Sequence, residues 1–202
     1  MAKTICFTGR RPKFLCGYIS HDAYKPFVAE LREIIRGYYN KGYRRFITGG
    51  AQGFDQLAFW AVDQLKSELP DIENIVYIPY RNFGQYWAEN GVFSRSEYRL
   101  MLSRATDVYY CIDRELTDSH EIIKALMERN HAMVNDSDFV IALHNSPNFY
   151  GEKGGTAECM KYAFFTKRLP LLHIKYAIKN NHMATDGMEE YDPSVLQGNP
   201  AN

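Results

Sequence analysis

Ile47-Thr48-Gly49-Gly50-Ala51-Gln52-Gly53-Phe54-Asp55 joins an apolar run to an amphipathic one, and that junction decides the fold. Residues 45–48 read as a buried strand. Leu57, Ala58, Ala61, Val62, Leu65 and Leu69 then recur at helical spacing until Pro70 stops them. A strand–glycine–helix junction leaves the first helical N–H groups without intrahelical partners, and the helix dipole adds partial positive charge there. Glycine removes the side chain that would hold an anion away from that backbone. A second junction of this kind is Gly151-Glu152-Lys153-Gly154-Gly155-Thr156-Ala157-Glu158. It lies between the apolar run 139–143 and a helical segment bearing Ala157, Met160 and Phe164. Two such junctions in one small domain point to a nucleotide or sugar-phosphate pocket.

The same alternation extends in both directions. Residues 4–8 form a short apolar run ended by Gly9, after which a loop carries Arg10, Arg11 and Pro12. Phe27, Leu31, Ile34, Ile35 and Tyr38 give an amphipathic helix that ends at Gly42. Further strands are expected at 75–78, 107–111 and 170–174, and a helix at 94–104. Another helix carries Ile122, Ile123, Leu126, Met127 and Met133, with Ser119 as its cap. Residues 80–92 are aromatic and irregular. Short apolar strands alternating with helices predict an α/β domain, a parallel sheet covered on both faces. Ligands of such sheets bind outside the carboxyl ends of the strands, so the turns at Gly9, Gly49 and Gly154 should share one edge. After Tyr176 the chain turns polar. Residues 1–176 are read as a single domain and 177–202 as a poorly ordered or partner-dependent tail.

The composition narrows the function classes. The chain has 202 residues and 46% hydrophobic content, enough for one domain with a sizeable core. Its 24 basic and 24 acidic residues cancel, so no global field draws it to nucleic acid or an anionic membrane. Cys6, Cys16, Cys111 and Cys159 form no C-x-x-C pair and share no metal-ligand spacing with histidine. Cys6 and Cys111 lie inside apolar runs and read as structural thiols. His120, His131, His144 and His173 show no shared metal spacing either, so no metal and no cofactor is expected. No apolar stretch approaches the length of a membrane span, and the first strand begins too early for a signal peptide. A reducing cytoplasm fits these features.

Four motifs in order carry a resemblance: Phe7-Thr8-Gly9-Arg10-Arg11-Pro12, the segment 47–55, Arg129-Asn130-His131-Ala132-Met133-Val134, and Gly154-Gly155-Thr156. Together they resemble the YoqJ/YpsA-like branch of the SLOG superfamily, over roughly residues 3–176. The resemblance implies a Rossmann-like fold and nucleotide-type ligand binding in bacterial or phage cytoplasm. The superfamily also includes the LOG phosphoribohydrolases and the DNA-processing protein DprA. Where the branch usually has histidine after Thr-Gly, this chain has Arg10, whose permanent charge favours an anionic group. Against the LOG pattern, Arg129 and Met133 match the first part, and Gly155, Thr156 and Glu158 match the Gly-Thr-x-Glu core. Tyr150 and Gly151 stand where Pro-Gly-Gly would begin, and Cys159 replaces the second glutamate.

Each candidate has two readings. Gly49, Gly50 and Gly53 admit a phosphate or ribose, or they make a tight turn and close helix–sheet packing. Asp55 accepts a ribose hydroxyl, or it caps free N–H groups. Arg129 holds a phosphate bidentately, or it is a surface cation near a helix C-terminus. Glu158 is an acid–base group for N-glycosidic cleavage, or a carboxylate favoured at a helix start. Arg10 and Arg11 contact an anion, or are solvated loop charges. Trp87 stacks on a base, or packs. The ligand-binding set is therefore Thr8, Gly9, Arg10, Arg11, Gly49, Gly50, Gly53, Asp55, Arg129, Gly154, Gly155 and Thr156. Arg129 and Glu158 would be catalytic if the protein turns its ligand over. A nucleoside monophosphate, ADP-ribose or a cyclised NAD product is the expected partner. Single-stranded DNA rests on the DprA analogy alone and is opposed by zero net charge. Related folds often pair, so a homo-oligomer is compatible with this reading.

Overall fold

Helices cover both faces of one seven-stranded sheet in a computed structural model that describes residues 2–146 and 149–198. The strands are β1 (Lys3–Gly9), β2 (Tyr43–Thr48), β3 (Glu73–Tyr80), β4 (Asp107–Ile112), β5 (Phe139–Leu143), β6 (Leu171–Lys179) and β7 (His182–Tyr191). Their order is β4-β3-β2-β1-β5-β6-β7. All neighbouring pairs are parallel except β6 and β7. This is a Rossmann-like α/β sheet in a single domain.

The side-chain alternation of the strands sets the layers. Ile5 and Phe7 face a core built with α1 (Lys25–Asn40) and α2 (Phe54–Leu65), whereas Cys6 faces α4 (Ser119–Asn135) and α5 (Gly155–Lys161). α3 (Arg95–Arg104) supplies Tyr98 and Met101 to a third cluster with Phe59, Val76 and Ile78. α1 buries Phe27, Leu31, Ile35 and Tyr38, one helical stripe. Burying each such side chain stabilises the fold by about 1.5–3 kcal/mol.

Two local expectations are corrected. The cap of α4 is Asp118, one residue before Ser119; its carboxylate accepts from the N–H groups of His120 and Glu121 at 3.0 and 2.9 Å. The segment after Tyr176 is no loose tail, because β6 continues to Lys179 and β7 returns antiparallel, from Lys179↔His182 to Leu171↔Tyr191. Asn180 and Asn181 make the turn with φ of 49° and 61°, the conformation that two-residue hairpins require. Met183 is fully buried against the α1 side of the sheet. The Thr185 N–H donates to Glu30 of α1 at 2.7 Å. The last four residues of the expected tail, 199–202, lie outside the described residues.

The chain reverses direction across the sheet between β1 and β5. β1 to β4 run one way from the centre, and β5 to β7 run the other. The loops leaving β1 and β5 therefore part above the sheet, and such a switch point is where open α/β sheets hold ligands.

Candidate functional site

A cleft of 560 Å³ lies at this switch point. The end of β1 contributes Thr8 and Gly9 to it and the following loop Arg10 and Arg11; the turn after β2 and the start of α2 contribute Ala51 and Asp55. The loop after β5 and the start of α5 contribute Lys153, Gly154, Gly155, Thr156 and Glu158. α4 forms the remaining wall with Ile123, Leu126, Met127 and Arg129. Four cations, Arg10, Arg11, Arg129 and Lys153, meet two carboxylates, Asp55 and Glu158. The chain is neutral overall, but this cleft is locally basic.

Its charged centre is buried. Arg129 is 3% exposed, so it is not a surface cation at a helix end. Its Nη1 donates to the carbonyl oxygen of Gly49 and lies 3.7 Å from Asp55 Oδ2. Its Nε is buried without a hydrogen-bond partner among the described residues. Asp55 Oδ2 also accepts the N–H of Ala51 at 3.4 Å, so this carboxylate is engaged by the protein's own loop. Burial raises the Asp55 carboxyl above its ordinary range, against the opposing pull of Arg129 and Arg11. Burial also lowers Arg11, which Asp55 opposes. Two guanidinium groups share one carboxylate, which leaves positive charge in a partly desolvated place. An anionic ligand would compensate it.

The two glycine turns differ sharply. Gly49, Gly50 and Gly53 are not part of the cleft wall. A Cβ on Gly49 would fall inside the Arg129 guanidinium and 2.7 Å from Asp55 Oδ2. A Cβ on Gly53 would lie 2.5 Å from the Arg10 carbonyl oxygen, at a φ of +96°. Gly50, at φ +65°, faces Met101 and Val76 at 3.2 Å. Close packing is therefore the reading these contacts support, and the same holds at Gly9, where a Cβ would strike Phe54. At Gly154, φ is +114° and nothing lies within 4 Å of the missing side chain; at Gly155 the nearest atom is Asn130 Nδ2 at 3.9 Å. The second turn opens onto the cleft.

The remaining candidates fall into place around this contrast. The Glu158 side chain is 55% exposed and paired with Lys161 at 2.9 Å. Arg10 lies over the Phe14 ring, 4.8 Å from its centroid. Trp87 packs edge-on against Phe83 and Tyr98, with centroids 5.2 and 5.1 Å apart, outside the cleft. The sequence reading missed the apolar wall of Phe14, Ile123, Leu126 and Met127, of which Phe14, Ile123 and Met127 are well exposed. It also missed His144, which follows β5 directly; a polar residue at the carboxyl end of an apolar strand was the available signal. Cys159 is buried in the cleft wall, and burial pushes its thiol up to about 11, so it stays neutral. Among the described residues, no group of three or more His, Cys, Asp or Glu side chains converges as a metal site. No helix there is long and apolar enough to cross a membrane. A smaller cavity of 390 Å³ lies over α1 and α2, where His21 and Glu97 pair with each other.

The chain belongs to the YspA SLOG family, which it matches over residues 5–181. It is 31% identical over 128 residues to the uncharacterized SPbeta prophage-derived protein YoqJ of Bacillus subtilis (strain 168), a match that covers 59% of this chain and 68% of that protein. It is 29% identical over 70 residues to a UPF0398 protein of Latilactobacillus sakei subsp. sakei (strain 23K), covering 35% of this chain and 38% of the relative.

Proposed function

We propose that the cleft binds a nucleotide or nucleotide-derived ligand, a nucleoside monophosphate, ADP-ribose or a cyclised NAD product, and that the protein acts as a binder or sensor. The carrying observation is the buried Arg129: among the described residues its Nε has no hydrogen-bond partner, and the one carboxylate paired with it, Asp55, is shared with Arg11. Phosphate oxygens would meet Arg11, Arg10 and the open Gly154–Thr156 turn. The exposed side chains of Ile123 and Met127, beside the Phe14 ring that Arg10 covers, offer an apolar surface for a base. An arrangement of anion-binding groups beside an apolar wall suits a ligand with both kinds of surface.

Turnover is the second reading, favoured by one observation: Arg129 and Glu158 line the same cleft. A phosphoribohydrolase needs a carboxyl group positioned to move a proton at the N-glycosidic bond. Here Glu158 sits at an exposed rim against Lys161, and Arg129 is committed to Gly49 and Asp55. Binding without turnover fits these commitments better.

Calorimetry against a panel of nucleoside monophosphates, ADP-ribose and cyclic ADP-ribose tests the proposal, with chromatography of the recovered ligand. Saturable binding of a ligand that returns intact is expected. Release of free base that is abolished by Glu158→Gln would replace it with the hydrolase reading. Absence of binding across the panel would end both.

A further inference from the structure

Buried polar atoms nearly always have a partner, and an exception calls for an explanation. In the cleft wall one stands out besides Arg129: the imidazole of His144, fully buried and placed where the chain leaves β5. Its Nδ1 accepts the N–H of Ser146 at 3.1 Å. A neutral imidazole carries one proton, so a ring whose Nδ1 accepts must carry it on Nε2. That Nε2 is buried and has no partner among the described residues. The His144 backbone is held as well, because its carbonyl oxygen accepts from His173 Nε2 at 2.6 Å.

We propose that His144 is a specificity-determining residue of this cleft, its Nε2–H donating a hydrogen bond to an acceptor oxygen, ribose or phosphate, of the bound ligand. This rests on the nucleotide reading above. The charged and titratable groups acting on the ring are Arg10 from the β1 loop, Glu152 from the β5 loop and the buried His173 of β6. Burial, Arg10 and His173 lower the imidazole to about 4, against the weaker pull of Glu152. His144 is therefore a neutral donor at physiological pH, and the full positive charges belong to the arginines. A fixed neutral N–H discriminates differently from a cation. It donates to an oxygen of modest charge and rejects a ligand that presents only a donor at that point, because both groups would be left unpaired.

Imidazole nitrogen NMR of the full-length protein, labelled in histidine, tests this with ADP-ribose as the probe, since its pyrophosphate does not titrate between about pH 5 and 8. In the free protein, His144 should show a bare Nδ1 and a protonated Nε2 across that range. Adding ADP-ribose should shift the Nε2 proton and slow its exchange. His144→Phe should weaken ADP-ribose binding by about tenfold or more, and His144→Gln, which restores an N–H donor near Nε2, should recover part of the loss. An Nε2 proton that ADP-ribose leaves unmoved overturns the inference even if the Phe variant does not fold. So does a gain in affinity on acidification that disappears in His144→Phe, because it would mark an imidazolium contact. Wild-type protein that binds ADP-ribose while His144→Phe binds it equally overturns this inference alone. Wild-type protein that binds no nucleotide overturns the functional reading and this inference together.

Discussion

The turn after β2 and the turn before α5 look alike as sequence and behave as opposites in the fold. Both place glycines between an apolar strand and a helix start. The first is filled by the protein: Arg129 lies where a Gly49 side chain would be, and the Arg10 carbonyl closes on Gly53. The second is open, with nothing within 4 Å of the position a Gly154 side chain would take. A glycine is required wherever backbone is approached closely, whether by another part of the chain or by a ligand. The pattern alone therefore cannot separate a packed turn from a receiving one. Here the packed turn serves the open one indirectly, because Gly49 makes room for the arginine that gives the cleft its buried charge.

That contrast can be broken most directly at Gly53. Gly53→Ala combines a positive φ with a contact 2.5 Å from backbone that cannot swing away. A loss of about 4 kcal/mol is expected in denaturant unfolding. A loss below about 1 kcal/mol would show that the first turn has slack, and would reopen it as a ligand site. Next in size is Arg129→Met. It removes the cation 3.7 Å from the buried Asp55 and the donor to Gly49. Arg11 remains to compensate the carboxylate, so a loss of about 3 kcal/mol is expected by the same measurement. An unchanged midpoint would mean that Arg129 does not hold the first turn at all.

The legible parts of the molecule were those written in local periodicity. The alternating strands and amphipathic helices follow from period-2 and period-3.6 patterns, and the shared edge of Gly9 and Gly154 follows from parallel strands. The misread parts depended on longer range. The polar stretch after Tyr176 hides a hairpin whose clue is Asn180-Asn181, two residues that tolerate the left-handed region. β7 gains its order from Met183 in the core and Thr185 on Glu30, contacts made with α1 some 150 residues earlier in the chain. The motifs put Arg11, Asp55 and Arg129 in one candidate set but do not reveal their mutual dependence, since nothing local says that the arginine fills the space beside Gly49. The lack of metal spacing at His144 says nothing against it as a donor, because a single neutral ring needs no partner histidine to donate a hydrogen bond.

The open turn gives a smaller and differently shaped effect. Gly154→Ala strains φ without a clash, so a loss of about 1 kcal/mol in stability is expected. The functional effect should exceed the structural one, because the methyl group enters the space that a phosphate would use. A tenfold or larger loss of ADP-ribose affinity in calorimetry, with the thermal midpoint lowered by only about 2–4 °C, would sharpen the contrast. Equal binding by Gly154→Ala would place the anion elsewhere in the cleft, on Arg10 and Arg11 alone.

The smallest effect lies in the pH dependence of Asp55, and its sign separates burial from ion pairing. A carboxylate stabilised chiefly by its arginines would have a lowered folded-state pKa, and would lose its contribution as pH falls. Asp55 is raised instead, because burial outweighs Arg129 and Arg11. The folded protein therefore takes up this proton at a higher pH than the unfolded chain. Its contribution is fully present below the unfolded value and is lost as pH rises through the folded one. Other carboxylates obscure this in a single stability curve, but they cancel in the difference between wild type and Asp55→Asn. That difference should move in favour of wild type as pH falls from neutral toward about 4, measured by denaturant unfolding at each pH. Movement in the opposite direction would mean that ion pairing dominates. Asp55 would then stay ionised between its two arginines, and the charge left for a ligand to neutralise would be smaller.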